Sequence, residues 1–381
     1  MKRRIFKEEH NIFRDQCRRF AEEEIAPHIE EWRKNKQVSR EVWKKAGAQG
    51  FLCPWMPEEY GGAGADFLYS VVIAEEFSRV GNSGFGAGLH SDVVVPYLYD
   101  FGNEEQRRRW LPGCCDGSII TAVAMSEPGA GSDLASMSTT AIDQGDHYLL
   151  NGAKTFISNG ILADLVVVAA KTNPDANPPH AGISLLVVER GMEGFERGRN
   201  LDKLGQHGQD TAELFFNDVK VPKENLLGQE GQGFYYLMKN LQQERLMVCV
   251  GAVSHMWRIL EHTMEYTRER KAFGRPIASF QNSQFKIAEM YSYCEIAQCF
   301  LDRLIEEHMA GEDIVSEVSA AKWWFTDTEF RMADEGLQLH GGYGYMTEYP
   351  IANDFADSRV QRIYAGSNEI MKVIIAKRLG L

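Results

Sequence analysis

The chain has 381 residues, 44% of them hydrophobic and 25% charged, an ordinary globular balance with length for two or three domains and a substantial core. Its formal net charge of −13 repels phosphate backbones and argues against nucleic acid as a partner. Seven cysteines without a C-x-x-C pair or metal-like spacing argue against a metal site and read as reduced thiols, and with neither a secretory apolar core nor a membrane-length apolar run the expectation is a cytoplasmic protein with no membrane span.

In chain order, residues 7–31 place Ile12, Phe13, Phe20 and Ile25 at helical spacing among charges. Asp66 opens a second run, with Leu68, Val71, Val72 and Phe77 facing a core. Asn103, followed three residues later by Gln106, spells a capping box. The basic run Arg107–Arg109 reads as a solvated helix face. From about residue 119 short β-rich segments take over: HYLLNGAKTFISNG, DLVVVAAKT, GISLLVVER and TAELFFNDVKV, separated by turn residues. With no long helices between them they suggest a compact antiparallel sheet, and the Pro-rich stretch Asn173–Pro179 reads as a surface loop. From about residue 231 helices return over 234–268, 280–309 and 313–339, punctuated by Gly311 and ended by Gly341, Gly342 and Gly344. Three long helices and a short final one suit an up-and-down bundle.

Four segments carry candidate chemistry. AMSEPGAGSD (Ala124–Asp133) follows the β-prone Ile119–Val123, and its glycines would let backbone approach a flat ligand; alone it equally spells a Ser-rich turn, and it is not a Rossmann fingerprint. QLHGGYGYM (Gln338–Met346) is either a dinucleotide contact or a plain glycine helix stop. RERKAFGRPI (Arg268–Ile277) gathers Arg270, Lys271 and Arg275, as pyrophosphate recognition or a solvated helix end would. IYAGSNEIMK (Ile363–Lys372) turns at Gly366 and caps a helix with Ser367, whose N-terminus favours phosphate or a polarised carbonyl.

Taken together, AMSEPGAGSD, AKTFISNG, ERKAFGRPI, QLHGGYGYM and RIYAGSNEIM resemble the acyl-CoA dehydrogenase family, in order and over essentially the whole chain. QERL with a non-acidic residue before Gly366 is most similar to the long-chain type, as are SREVWKKAGAQG, GISLLVVERGMEGF, QDTAELFF and GFYYLMK. The resemblance implies an α+β fold of that family: an N-terminal helical domain (1–118), a middle antiparallel β domain with flavin and acyl-CoA contacts (119–230), and a C-terminal four-helix bundle carrying the catalytic base (231–381).

It also implies FAD as cofactor and oxidation of an acyl-CoA thioester to a trans-2-enoyl-CoA. A carboxylate takes the α-proton while hydride leaves the β-carbon. In many relatives the base stands at the position of Ala365, which cannot accept a proton; in the long-chain and isovaleryl types it stands at Glu244. Glu244 is therefore the expected general base, although on residues alone it is a glutamate on a helix flank beside Arg245. The Ala365 N–H would donate to the thioester carbonyl. By motif match Val123, Ala124, Met125, Ser126, Gly131 and Ser132, with Phe156, Ile157 and Ser158, would line the flavin, Ser132 also lying near the CoA. Arg270 and Gln281 would reach FAD across a subunit interface, and Gln338, Leu339, His340, Gly341 and Gly342 would contact it there. Ser367, Asn368 and Glu369 would add further FAD contacts, and Tyr235, Gln242, Gln243, Arg245, Ala365 and Gly366 would border the acyl-CoA channel. Phe156 stands where many shorter-chain relatives carry Trp.

The implied partners are an acyl-CoA substrate and an electron-transfer flavoprotein, and the implied assembly is a homotetramer. Small Ala365 and Gly366 leave room for branching near the reacting carbons. The alternatives are a short branched-chain (isovaleryl-type) dehydrogenase, a flavin oxidase of the same fold, and a non-catalytic acyl-CoA or flavin binder, against which the intact Glu244 and flavin motifs argue.

Overall fold

A computed structural model describes residues 1–81 and 84–381. The N-terminal third is helical: α1 (Glu8–Phe20), α2 (Ile29–Asn35), α3 (Arg40–Ala48), α4 (Phe67–Arg79), α5 (Val95–Phe101) and α6 (Glu104–Asp116). The expected helix over 7–31 is interrupted by a π-helical turn, Ala21–Ile25, and a 3-10 turn at Ala26–His28, where Pro27 removes a backbone donor. Asp66 caps α4, accepting from the Leu68 N–H at 3.0 Å. Asn103 and Gln106 form the reciprocal capping box of α6. A second π-helical turn, Leu89–Val94, leads into α5.

The middle third is one sheet built from β1 (Thr121–Ala124), β2 (Thr140–Asp143), β3 (His147–Ser158), β4 (Leu165–Lys171), β5 (Ile183–Glu189), β6 (Phe195–Asn200), β7 (Thr211–Pro222) and β8 (Leu226–Leu227). The strands run in the order β6-β7-β3-β2-β4-β5-β8, with β1 paired to β4. Most pairs are antiparallel, but β1 lies parallel to β4, Thr121 opposite Leu165, which corrects a purely antiparallel reading. β2, β6 and β8 had no expectation: Thr140–Asp143 and Leu226–Leu227 are too short for a pattern, and FERGRN is too polar. β4 and β5 are buried on both faces as near-continuous apolar runs.

The final third holds α7 (Gly233–Glu269), the hairpin β9 (Lys271–Ala272) and β10 (Arg275–Pro276), α8 (Gln281–Met309), α9 (Val315–His340), α10 (Pro350–Ser358) and α11 (Asn368–Arg378). The three long helices match the periodic runs to within two residues at each end. Their shared core includes Leu246, Val250, Val253, Met256, Leu301, Val318 and Phe325. α4 joins this bundle: Ser70 and Gln243 both bond to Asp92 at one end, and Arg258 donates to the Arg79 carbonyl at the other. α4 and α7 therefore run side by side in the same direction.

Candidate active site

The β-strand register creates one wall of the site. In β3 a register shift between Lys154 and Ile157 frees two residues from the ladder. Lys154 turns inward and is fully buried, donating to Glu127 Oε1 at 2.8 Å and to the Met125 carbonyl at 3.0 Å. Thr155 N–H donates to the Ser126 carbonyl. Phe156, with φ 60°, is pushed out and stands 71% exposed. Glu127 also accepts from Ser138 and Thr139. Burial alone would raise its pKa, but these bonds and the Lys154 ammonium outweigh it and pull the carboxyl below its usual range. A buried ion pair thus pins Met125–Glu127 beside the Phe156 bulge.

The second wall is helical. Glu244, Val248, Gly251 and His255 recur at helical spacing along one face of α7 and line a cavity of about 780 Å³. From Glu244 to His255 this face runs about 16 Å at 1.5 Å per residue. Ser70, Ala74, Phe77 and Ser78 of α4 face it across the slot, with Leu89 and Val93 from the π-helical turn closing the side.

Glu244 is buried, 5% exposed, and accepts a 2.5 Å hydrogen bond from the Tyr97 hydroxyl. Burial pushes its carboxyl up to about 7, against the lowering influence of Tyr97 and Arg245. A carboxylate titrating there is matched to proton transfer near neutral pH. The same cavity is lined by the turn Ala365–Gly366, whose φ angles are 52° and 85°. Arg245 Nε donates toward the Ala365 carbonyl at 3.5 Å. Among the described residues the Ala365 N–H meets no acceptor.

The cavity brings together Val123, Met125, Ser126, Gly131, Ser132, Phe156, Ile157, Ser158, Glu244, Arg245, Ala365 and Gly366, residues drawn from four separated segments. Other expected residues are not brought to it. Ala124 is fully buried beneath the cavity wall in β1. Tyr235 points outward toward His180, and its neighbours Phe234 and Met238 line the cavity instead. The Gln242 side chain is occupied by the α8–α9 turn, donating to the Glu312 carbonyl and accepting from the Ile314 N–H. Gln243 donates to the Asp92 carbonyl at 2.8 Å and supports the π-helical turn. Ser367 caps α11, accepting from the Ile370 N–H at 3.4 Å, and the Asn368 amide is buried against α9. Glu369 is exposed.

Arg270, Gln281, Gln338, Leu339, His340, Gly341 and Gly342 gather at the far end of the bundle, where α7 and α9 end and α8 begins. Arg270 follows Glu244 by 26 residues along α7, roughly 39 Å at 1.5 Å per residue. These residues cannot reach the cavity of their own chain. They form a separate region, exposed at Arg270, Gln281, Gln338, Gly341 and Gly342, with the Arg270 guanidinium over the Tyr343 ring and the buried His340 stacked on Tyr266.

Several residues in or behind the cavity wall had no sequence signal. Tyr97 lies 147 positions from its partner Glu244. Asp92, 4% exposed, accepts from Ser70 Oγ at 2.7 Å, and burial pushes it up to about 7, making it a second carboxyl on the same cavity. His255 bridges Glu329 Oε1 at 2.5 Å and Asp354 Oδ1 at 3.0 Å through its two ring nitrogens. Burial lowers its pKa, but the two carboxylates outweigh it and carry it to about 10.

The turn at Gly129 and Gly131 is open in a telling way. A side chain at either position would meet nothing within 4 Å, and neither has a positive φ. The polypeptide itself does not require glycine there, and at Gly131 the open backbone leaves room for a group lying in the cavity. The exposed Phe156 ring and the apolar Val123 and Met125 beside it suit a flat aromatic ring system, and the backbone donors of the turn suit its polar edge. No cluster of His, Cys, Asp or Glu among the described residues could hold a metal ion.

Comparison with known proteins gives three adjacent family matches: acyl-CoA dehydrogenase, N-terminal domain, over residues 7–118; middle domain, over 122–219; and C-terminal domain, over 231–380. The chain is 48% identical to the mitochondrial long-chain specific acyl-CoA dehydrogenase of Mus musculus over 377 residues, 99% of this chain and 88% of that protein. It is 37% identical to the mitochondrial isovaleryl-CoA dehydrogenase of Pongo abelii over 373 residues, 97% and 88% of the two chains. A crystal structure of an acyl-CoA dehydrogenase from Geobacillus kaustophilus superposes over the whole of both chains with a TM-score of 0.99 at 56% identity.

Proposed function

The chain belongs to the acyl-CoA dehydrogenase family, and on that premise we propose that it oxidises long-chain acyl-CoA thioesters to trans-2-enoyl-CoA with Glu244 as the proton acceptor. It is an FAD-dependent oxidoreductase. FAD, when bound, supplies the hydride acceptor. Val123, Met125, Ser126, Gly131, Ser132 and Phe156–Ser158 would hold its ring system in the cavity.

The observation that carries the reading is the buried Glu244–Tyr97 pair on the cavity that Ala365 also lines. An α-proton of a thioester is too weakly acidic for a carboxylate unless the developing enolate oxygen is stabilised. The free Ala365 N–H is a donor for that oxygen. Ala365 itself cannot take a proton, and of the two cavity carboxyls, Glu244 and Asp92, Glu244 is the one that the family resemblance points to. Desolvation raises Glu244's proton affinity, and the Tyr97 hydrogen bond fixes its orientation.

Long-chain preference is supported by the higher identity to the long-chain relative, 48% against 37%, and by the apolar slot continuing past Glu244 to His255. Each buried methylene is worth about 0.8 kcal/mol, so slot length translates into chain preference. A branched-chain substrate is the second reading, favoured by the small Ala365 and Gly366 beside the reacting carbons. Electron transfer to an electron-transfer flavoprotein and assembly as a homotetramer belong to the same proposal. The distance of roughly 39 Å between Glu244 and Arg270 along α7 supports a neighbouring copy completing the FAD site. No helix among the described residues is long and apolar enough to cross a membrane. The seven free cysteines fit a reducing, cytoplasmic setting.

Anaerobic addition of palmitoyl-CoA to the yellow protein should bleach the flavin, and isovaleryl-CoA should do so far more slowly. Faster bleaching by isovaleryl-CoA would transfer the assignment to the branched-chain type, and bleaching by neither would refute both. Glu244→Gln should bind the ligand and slow bleaching by about 10²- to 10⁴-fold.

A further inference from the structure

The turn at Ala365–Gly366 is held from beneath by two buried cations. Arg245 Nε donates toward the Ala365 carbonyl at 3.5 Å. Lys322, from the middle of α9, donates from Nζ to the Gly366 carbonyl at 2.8 Å and to Asn368 Oδ1 at 3.1 Å. Lys322 is 0% exposed. Its acceptors are neutral, and among the described residues no carboxylate forms an ion pair with it. Asn368 is locked in turn, donating to Thr326 Oγ1 at 3.0 Å and to Asp327 Oδ1 at 3.1 Å.

Asp327 and Glu369 act on the ammonium only from beyond ion-pair distance; a buried ammonium without a contacting counter-charge is costly, and a methionine would fill the same volume without that cost. Packing of α9 against α11 therefore does not explain the residue. The carbonyl it holds does. Ala365 and Gly366 are consecutive residues with positive φ, both carbonyls are held by buried cations, and Ala365 lines the cavity with its N–H unbonded among the described residues. Positive charge lies behind the place where negative charge would develop on a thioester oxygen.

We propose that Lys322 is a positioning residue for the dehydrogenation: its ammonium holds the Ala365–Gly366 turn so that the Ala365 N–H can serve the cavity, and its charge, in contact with no carboxylate, favours the enolate over the neutral thioester. This deepens the acyl-CoA dehydrogenase reading and rests on it. Lys322 does not line the cavity and acts through the turn. Burial lowers its pKa to about 8, which leaves it mostly charged at neutral pH.

The test uses FAD-loaded protein and an aryl enoyl-CoA probe such as cinnamoyl-CoA, whose absorption moves to longer wavelength as its carbonyl is polarised. The parent protein should shift the probe band. Lys322→Met should bind the probe within a few-fold of the parent Kd and retain FAD, yet lose most of the band shift. Its flavin bleaching at saturating acyl-CoA should slow about 10- to 100-fold, less than the loss of a direct oxyanion donor, with KM little changed. Lys322→Arg should recover most of the shift and rate. Should the Met variant not fold, Lys322→Gln, which keeps a donor without the charge, serves in its place. An unchanged band shift in the neutral variant, or equal losses in the Gln and Arg variants, would overturn the role of Lys322. A parent protein that no acyl-CoA bleaches would instead overturn the dehydrogenase reading.

Discussion

At the scale of single residues, the proposed reaction rests on a carboxylate kept at unusual cost. Glu244 titrates near 7 in the fold and near 4.5 as an ordinary glutamate. Between those values the folded chain holds the extra proton, so this residue's contribution to stability falls as pH rises through the window and stays low above 7. Glu244→Gln should therefore melt higher than the parent at pH 8, by on the order of 1.4 kcal/mol per unit of pKa difference relieved, and the gap should close near pH 4.5. Scanning calorimetry across that range checks the sign; a variant that melts lower at pH 8 would contradict it. The Tyr97 hydrogen bond lowers the Glu244 pKa, so Tyr97→Phe should move the rising limb of the pH–rate profile to higher pH and reduce the rate at pH 7 several-fold. An unmoved limb would show that the bond does not act on the base. Glu244 and Ala365 were legible in the sequence because they fall inside motifs. Tyr97, Asp92 and Lys322 were not, because each acts through a neighbour far away in the chain, and a lone tyrosine, aspartate or lysine on an amphipathic helix has no spacing to mark it.

At the scale of elements, the site depends on places where regular structure is broken. The β3 register shift turns Phe156 out and Lys154 in, and the π-helical turn Leu89–Val94 carries Asp92, Leu89 and Val93 onto the cavity. Periodicity predicted the long helices well, since apolar residues at i, i+3 and i+4 over 26 or more residues leave little ambiguity. It could not predict a bulge or π-turn, which alters two or three residues and leaves the flanking pattern intact. The Lys154–Glu127 pair is what converts the bulge into a rigid wall. Lys154→Met would strand Glu127 among its remaining donors, at a cost of about 3–5 kcal/mol, and should loosen Met125–Glu127. Tm and the FAD dissociation constant should worsen together; a variant that loses stability but holds FAD as tightly as the parent would separate the pair from the cofactor wall.

At the scale of the whole molecule, one chain holds two surfaces that the resemblance assigns to one cofactor yet which lie roughly 39 Å apart along α7. The order of motifs along the sequence gave no hint of this separation, because helix length becomes distance only once α7 is known to run unbroken from Gly233 to Glu269. Assembly resolves it if the Arg270 surface of one copy completes the cavity of another. Arg270→Ala should then raise the FAD Kd by about 10-fold or more, as loss of a charge-assisted bond does, while leaving the Tyr97–Glu244 cavity intact; native mass spectrometry should find the parent as an oligomer. A monomeric, fully FAD-loaded parent would contradict that assembly. The central claim, that Glu244 removes the α-proton, is tested most directly on the assembled holoenzyme by exchange of acyl-CoA α-hydrogen with D₂O, followed by mass spectrometry. The parent should incorporate deuterium at the α-carbon, and Glu244→Gln should bind the thioester with no detectable incorporation. Exchange at the parent rate in Glu244→Gln would assign the proton to another base.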